Sequence, residues 1–172
     1  MSPIQLSYDV NDSDIRETLF RETLPKCIDA LDEDKEPNWG EMSAQHMIEH
    51  LIFAFQMSTD KLDLECNTPD EKRAKLQAFL NINRPMPKGF TNPVTGTELL
   101  DLKYPSLEHA KAKLKEEIQY YLTYYQNNPD ATEINPTFGK LGREQWRKFH
   151  FKHCFHHLSQ FDLIRQNNSD TN

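Results

Sequence analysis

Residues 143–164 read REQWRKFHFKHCFHHLSQFDLI. Trp146, Phe149, His153, His157 and Phe161 recur in this stretch at intervals of three and four residues, which places them on one face of an α-helix. That face combines apolar rings with imidazoles, so it must pack against other parts of the chain. The stretch therefore predicts a long helix, the fourth along the chain, whose inner face carries chemically active side chains.

Two segments earlier in the chain show the same helical spacing. Residues 12–34 predict helix one, which Pro25 is expected to kink or split because proline cannot donate a backbone hydrogen bond. Ser43 is a suitable N-cap for helix two. The apolar stripe of helix two consists of Met47, Leu51, Ala54, Phe55 and Leu62.

Helix three follows a Ser106 N-cap and is expected to end at the run 127–129, Asn-Asn-Pro. A short charged helix is expected at 70–79. Prolines and glycines exclude regular structure from 81–105, which predicts a long loop between helices two and three. Loops of this length are often lids, so Met86 or Phe90 could cover a site while Lys88 attracts an anion. The alternative is a loop that only packs Phe90 into the core.

Together these segments predict an all-α fold, a four-helix bundle in one domain over residues 1–165, with a disordered tail at 166–172. The chain has 20 Lys plus Arg against 27 Asp plus Glu, and its net charge of -7 would repel a nucleic-acid backbone. No stretch has the length and apolar character of a membrane span, and the first residues do not resemble a signal peptide. A cytoplasmic protein that binds neither nucleic acid nor membrane is expected.

Three cysteines, Cys27, Cys66 and Cys154, are widely separated and form no C-x-x-C pair. This spacing favours reduced thiols over a disulfide framework or a thiolate zinc site. Cys154 directly follows His153 and so points away from the face that His153 occupies, which favours a packing role.

Six of the 7 histidines lie on just two predicted helices. His153 and His157 are four residues apart, so both imidazoles face the same point beside the helix. His50 lies beside Leu51 on the inward stripe of helix two, and a neighbouring helix can bring its ring to that point. These spacings predict one divalent metal ion held by His50, His153 and His157.

The other histidines on these helices are alternates or outer partners of the predicted site. His46 lies one turn before His50, and His150 lies three residues before His153. His156 points about 100° away from His157, which favours a surface position or an outer hydrogen-bonding role. A polar core without metal is the competing interpretation, but it leaves several buried ring nitrogens to be satisfied.

Three protein ligands leave coordination positions open for water or substrate, as in catalytic zinc sites. Zinc is preferred, while nickel and ferrous iron also suit histidine ligands. The leading hypothesis is an enzyme acting on a small-molecule substrate, either a hydrolase or a thiol-dependent transferase. The alternative is a non-catalytic, metal-stabilised binding or stress protein.

Five short segments occur in a specific order along the chain: WGEMSAQHMIEHL at 39–51, PKG at 87–89, PTFGKL at 136–141, EQW at 144–146 and HCFHHLSQF at 153–161. In this order they resemble a branch of the metal-dependent DinB/YfiT-like superfamily. The chain has Asn135 before Pro136 where many relatives have His-Pro.

The resemblance implies a helical bundle in which His50, His153 and His157 form the metal triad. Better-understood members of the superfamily include transferases and isomerases that use low-molecular-weight thiols, so a thiol cofactor is also implied. Pairing into a homodimer is expected by analogy with similar bundles.

Overall fold

Within residues 2–89 and 99–167, which the computed structural model describes, the chain forms five helices and two small β-sheets. The prediction of an all-α four-helix bundle is therefore wrong, because four short strands are present and the short helix at 70–79 brings the number of helices in these ranges to five. In chain order the elements are β1 (Ile4–Leu6), α1 (13–30), α2 (Ala44–Met57), α3 (Asp70–Phe79), α4 (Leu107–Asn127), β2 (Thr132–Asn135), β3 (Gly139–Gly142), α5 (Arg143–Gln160) and β4 (Ile164–Gln166).

One sheet joins the two ends of the described chain. β1 and β4 run parallel, with Ile4 opposite Ile164 and Leu6 opposite Gln166. Gln166 thus belongs to a strand, whereas the sequence placed it at the start of a disordered tail; residues 168–172 lie outside the described part. Strands of three residues carry too short an alternation to be recognised locally, and these two pair across almost the whole chain.

The second sheet is a hairpin of β2 and β3 that leads directly into α5. Its turn is held by Asn135, whose Oδ1 accepts hydrogen bonds from the backbone N–H groups of Thr137 at 2.9 Å and Phe138 at 3.1 Å. Asn135 therefore has a local structural role, since such side chains stabilise turns through the backbone.

Helix α1 absorbs Pro25 without breaking. It consists of the α-helical Ser13–Thr18, a π-helical turn at Leu19–Thr23, and the α-helical Leu24–Ala30. A wider turn ahead of a proline relieves the clash and the missing N–H donor that a regular α-helix would suffer there. The interruption that the sequence predicts at Pro25 takes this form.

The helix starts follow local signals in the sequence. Ser43 Oγ accepts from the N–H of His46 at 3.3 Å, and Ser106 Oγ accepts from the N–H of His109 at 3.4 Å. Both predicted N-caps are confirmed, as is the short helix at 70–79. The described parts of the predicted loop, 81–89 and 99–105, contain no helix or strand, and Phe90 lies outside the described residues.

Helix α5 is buried on every side over residues 149–155, unlike the amphipathic helices around it. Trp146, Phe151 and Cys154 are each fully buried, although they point in different directions from the helix axis. The helix packs against α2, which in turn makes its main contact with α4. No helix in the described ranges is both long enough and apolar enough to cross a membrane.

The end of α5 comes at Gln160, four residues before the predicted end at Ile164. Asp162 adopts a left-handed conformation with φ of 50°. The Leu163 N–H donates to the Leu158 carbonyl at 2.8 Å, and the Asp162 N–H donates to the Ser159 carbonyl at 3.1 Å. This pair of bonds is a Schellman motif, which ends the helix and turns the chain into β4.

The left-handed residue Asp162 yields a stability prediction. We expect Asp162→Gly to stabilise the fold by about 1 kcal/mol, because glycine adopts this conformation without steric cost. For a chain of this length the melting temperature should rise by about 2–4 °C. The substitution also removes the exposed ion pair with Arg165. Arg165→Ala measures that loss separately, and a melting temperature below that of Arg165→Ala would contradict the prediction.

Candidate metal centre

Three histidines from two helices bring their ring nitrogens together. His153 Nε2 lies 2.8 Å from His50 Nε2 and 3.2 Å from His157 Nε2. The three ligand atoms all lie within 4.8 Å of one another. His50, His153 and His157, called the triad below, are therefore close enough to hold one metal ion.

The triad follows from the register of two packed helices. His153 and His157 project from the same face of α5, one turn apart, as their four-residue spacing requires. Met47 and Leu51 of α2 are fully buried and fix the rotation of that helix. With these residues inside, the half-buried His50 is turned toward α5, where its ring centroid lies 4.8 Å from that of His153.

The donor chemistry of the triad fits a cation. A neutral imidazole carries one N–H and one lone pair. His157 Nδ1 lies 2.8 Å from Gln160 Oε1, an acceptor, so the proton of His157 is on Nδ1 and its Nε2 offers a lone pair to the centre. His153 Nε2 faces two nitrogens and could donate a proton to only one of them. A divalent ion satisfies all three lone pairs together.

Burial keeps these imidazoles in the neutral form that binds metals. Desolvation, with a smaller contribution from His156, lowers the pKa of His50 to about 4. Desolvation and the neighbouring histidines place the pKa values of His153 and His157 well below the ordinary value for histidine. The triad is thus uncharged at neutral pH and ready to ligate without first losing protons.

Two of the three alternate histidines, His150 and His46, have other partners. His150 is fully buried, with Nε2 2.8 Å from Ser58 Oγ and its ring stacked on Phe55 at 4.1 Å. Burial lowers the pKa of His150 to about 3. His46 Nδ1 lies 2.7 Å from Ser43 Oγ at the start of α2. Within the described chain, neither His46 nor His150 joins the cluster that could hold a metal ion.

His156 lies beside the triad without joining it. Its ring centroid is 5.0 Å from that of His157, at an interplanar angle of 90°, and 5.6 Å from that of Trp39, at 69°. Burial lowers the pKa of His156 as well. Lys88 makes a cation–π contact with Trp39, with Nζ 4.2 Å from the centroid of the indole ring. His156, Trp39 and Lys88 therefore form an aromatic and cationic cluster next to the triad.

Glu49 and Gln45, which lie near His50 in sequence, form hydrogen bonds with the backbone of residues 103–104 and do not contact the triad through hydrogen bonds. Glu49 Oε2 accepts from the N–H of Lys103 at 2.7 Å, and Glu49 Oε1 accepts from the N–H of Tyr104 at 3.2 Å. Gln45 Nε2 donates to Glu49 Oε1 at 2.9 Å and to the Tyr104 carbonyl at 2.8 Å. Both side chains thus anchor residues 103–104 to α2, and Glu41 is exposed.

Cys154 is packed into the core, as its position after His153 predicts. It is fully buried, and burial raises the pKa of its thiol far above the ordinary value. A thiol in this state does not ionise at neutral pH and is a poor metal ligand.

Sequence reasoning missed Gln160, which is buried and contacts His157 directly. The signal was present, because residues three apart on a helix are neighbours and an amide can accept from an imidazole N–H. Comparison with known proteins adds nothing to the geometry: no family model, no curated protein and no solved structure matches the chain.

We expect His153→Ala and His157→Ala each to lose the metal ion, because each removes one of three ligands that join α2 to α5. In the parent, metal at 100 times its dissociation constant should stabilise the fold by about 2.7 kcal/mol, which corresponds to about 5–10 °C in melting temperature. Metal analysis and melting curves with and without added Zn²⁺ measure both effects. Metal content equal to that of the parent would refute the role of the triad.

His156→Ala is the matched control, and it should retain the metal. The ring of His156 faces Trp39, so its removal leaves all three ligands in place. The same metal analysis checks this expectation. Loss of the ion from His156→Ala together with retention by His157→Ala would show that His156 is the ligand.

Proposed function

We propose that the protein is a metal-dependent enzyme that binds one divalent ion, preferably zinc, on His50, His153 and His157. The proposed reaction is hydrolysis of a small electrophile or its conjugation to a low-molecular-weight thiol. When bound, the ion supplies Lewis-acid chemistry that makes water or a thiol nucleophilic near neutral pH.

The observation that carries this proposal is the small number of protein ligands. The cluster of candidate ligands in the described residues contains three histidines and no cysteine or carboxylate. Structural zinc sites use four protein ligands, whereas catalytic sites use three and leave a position for water or substrate. A three-histidine cluster thus favours catalysis over the alternative of a non-catalytic, metal-stabilised protein.

The protein's own residues support such chemistry by holding and shielding the triad. Phe149 stacks on His153 with ring centroids 5.2 Å apart, and Gln160 holds His157 through Nδ1. Apolar surroundings exclude water from the sides of the site and strengthen electrostatic interactions within it. Trp39, His156 and Lys88 provide an aromatic and positively charged surface beside the triad for a small substrate.

Membership of the DinB/YfiT-like superfamily forms part of this proposal. Its support is the ordered set of short segments in the sequence, two of which contain the triad histidines. The possibility of a thiol co-substrate comes from this relationship alone, while the three-histidine cluster supports hydrolysis and thiol transfer equally.

The test begins with metal analysis of protein purified without a histidine tag. We expect about one equivalent of a divalent metal per chain. The metal-restored protein is then screened for ester hydrolysis and for conjugation of small thiols to electrophiles, with His157→Ala as the control. Activity that requires the metal and is lost in His157→Ala supports the proposal. Bound metal without any metal-dependent turnover would favour the non-catalytic alternative.

A further inference from the structure

Gln160 connects the triad to a distant loop. It is the last residue of α5 and is buried. Its Oε1 lies 2.8 Å from His157 Nδ1, and its Nε2 donates to the carbonyl oxygen of Trp39 at 2.7 Å. Both ends of one amide are thus engaged, one by a triad histidine and the other by the backbone.

The Trp39 carbonyl determines which atom of the amide faces His157. A carbonyl oxygen only accepts hydrogen bonds, so the NH₂ group of Gln160 must point to it. Gln160 Oε1 then faces His157 and accepts the proton on Nδ1. The Nε2 atom of His157 is consequently left as a lone pair directed at the centre of the triad, which is the tautomer that binds a metal.

The loop around Trp39, which supplies this carbonyl, is also hydrogen-bonded to the backbone of Gln160. The N–H of Asn38 donates to the backbone carbonyl of Gln160 at 2.7 Å. Gly40 follows Trp39 with φ of 79°, and a Cβ atom at this position would lie 2.9 Å from Gln160 Nε2. A glycine is needed here both for the backbone conformation and for space beside the amide.

The amide is also electrically neutral, which affects the charge of the site. The outer partner of a metal-binding histidine is often a carboxylate, which adds negative charge. Among the hydrogen bonds of the described residues, none joins a carboxylate to a ring nitrogen of the triad. The nearby Glu49 is engaged by the backbone N–H groups of Lys103 and Tyr104. Three neutral imidazoles and one amide therefore leave the charge of a divalent ion uncompensated.

We propose that Gln160 is a positioning residue that fixes the metal-binding tautomer of His157, and that its neutrality makes the open position select anionic ligands. Thiolates and carboxylates are the corresponding substrate groups. The inference rests on the metal site of the proposed function and deepens it by naming the class of ligand. Lys88, held on Trp39 beside the triad, adds a positive charge that favours the same class.

The positioning role is tested by metal affinity, measured with Co²⁺ or Zn²⁺ against a competing chelator. Gln160→Met keeps the size of the side chain but removes both hydrogen bonds, and should weaken binding about 10–100-fold. Gln119→Met, the same change at an exposed position of α4, should have no effect. Failure of the unmodified protein to bind metal would overturn the proposed function itself. Unchanged affinity in Gln160→Met, with metal bound by the parent, would overturn only the role of Gln160.

Gly40→Ala tests the same contacts, from the Trp39 carbonyl through Gln160 to His157, without changing a hydrogen-bonding side chain. The added Cβ should displace the amide of Gln160 and weaken metal binding in the same direction. Gly89→Ala is the matched control, because Gly89 has φ of 76° and no atom of the described residues lies within 4 Å of an added Cβ. Equal metal affinity in both alanine variants would show that the position of the amide does not matter.

The charge argument is tested with Co²⁺-loaded protein and azide, followed by visible absorption at fixed pH. Gln160→Glu keeps an acceptor for His157 Nδ1 but adds a negative charge. We expect its azide dissociation constant to rise about tenfold, while binding of neutral imidazole stays within about twofold. Gln119→Glu should match the parent in both titrations. The same azide affinity in Gln160→Glu and the parent would overturn the proposed preference for anions.

Discussion

Helix α5 is packed on every side over residues 149–155, and each polar side chain that it buries there, His150, Lys152 and His153, has at least one hydrogen-bonding contact inside the protein. Such groups cost free energy when they are buried alone, and the cost is largest for charged side chains. The partners of these groups determine where several surrounding segments lie.

Three of these partnerships attach three different segments. His150 Nε2 contacts Ser58 Oγ at the end of α2, and Lys152 Nζ donates to the carbonyls of Ile82 and Arg84 at 2.6 Å each. Gln160 holds Trp39. The segments after α1, α2 and α3 are therefore arranged around the polar side chains of one helix. Within this arrangement the Nε2 atoms of the triad face one another, which is favourable when a cation lies between them.

The short sequence segments that suggested a family gain a physical explanation from these contacts. Gly40 makes room for the amide of Gln160, and the Trp39 carbonyl orients that amide. Gln160 then holds His157 in the tautomer that has its proton on Nδ1 and its lone pair on Nε2. Residues that are about 120 positions apart in sequence thus act as one unit, so the presence of both segments in one chain has a structural reason.

Local interactions account for what the sequence by itself determined. The Ser43 and Ser106 caps and the bounds of α3 depend on residues within one or two turns, and so does the alignment of His153 with His157. The inward stripe of helix two already favoured His50 over His46. The pairing of β1 with β4 and the contact of Gln160 with Trp39 were decided only by the tertiary structure. Each of these depends on how distant segments pack, and a periodic pattern within one segment carries no information about the rotation or register of its partner.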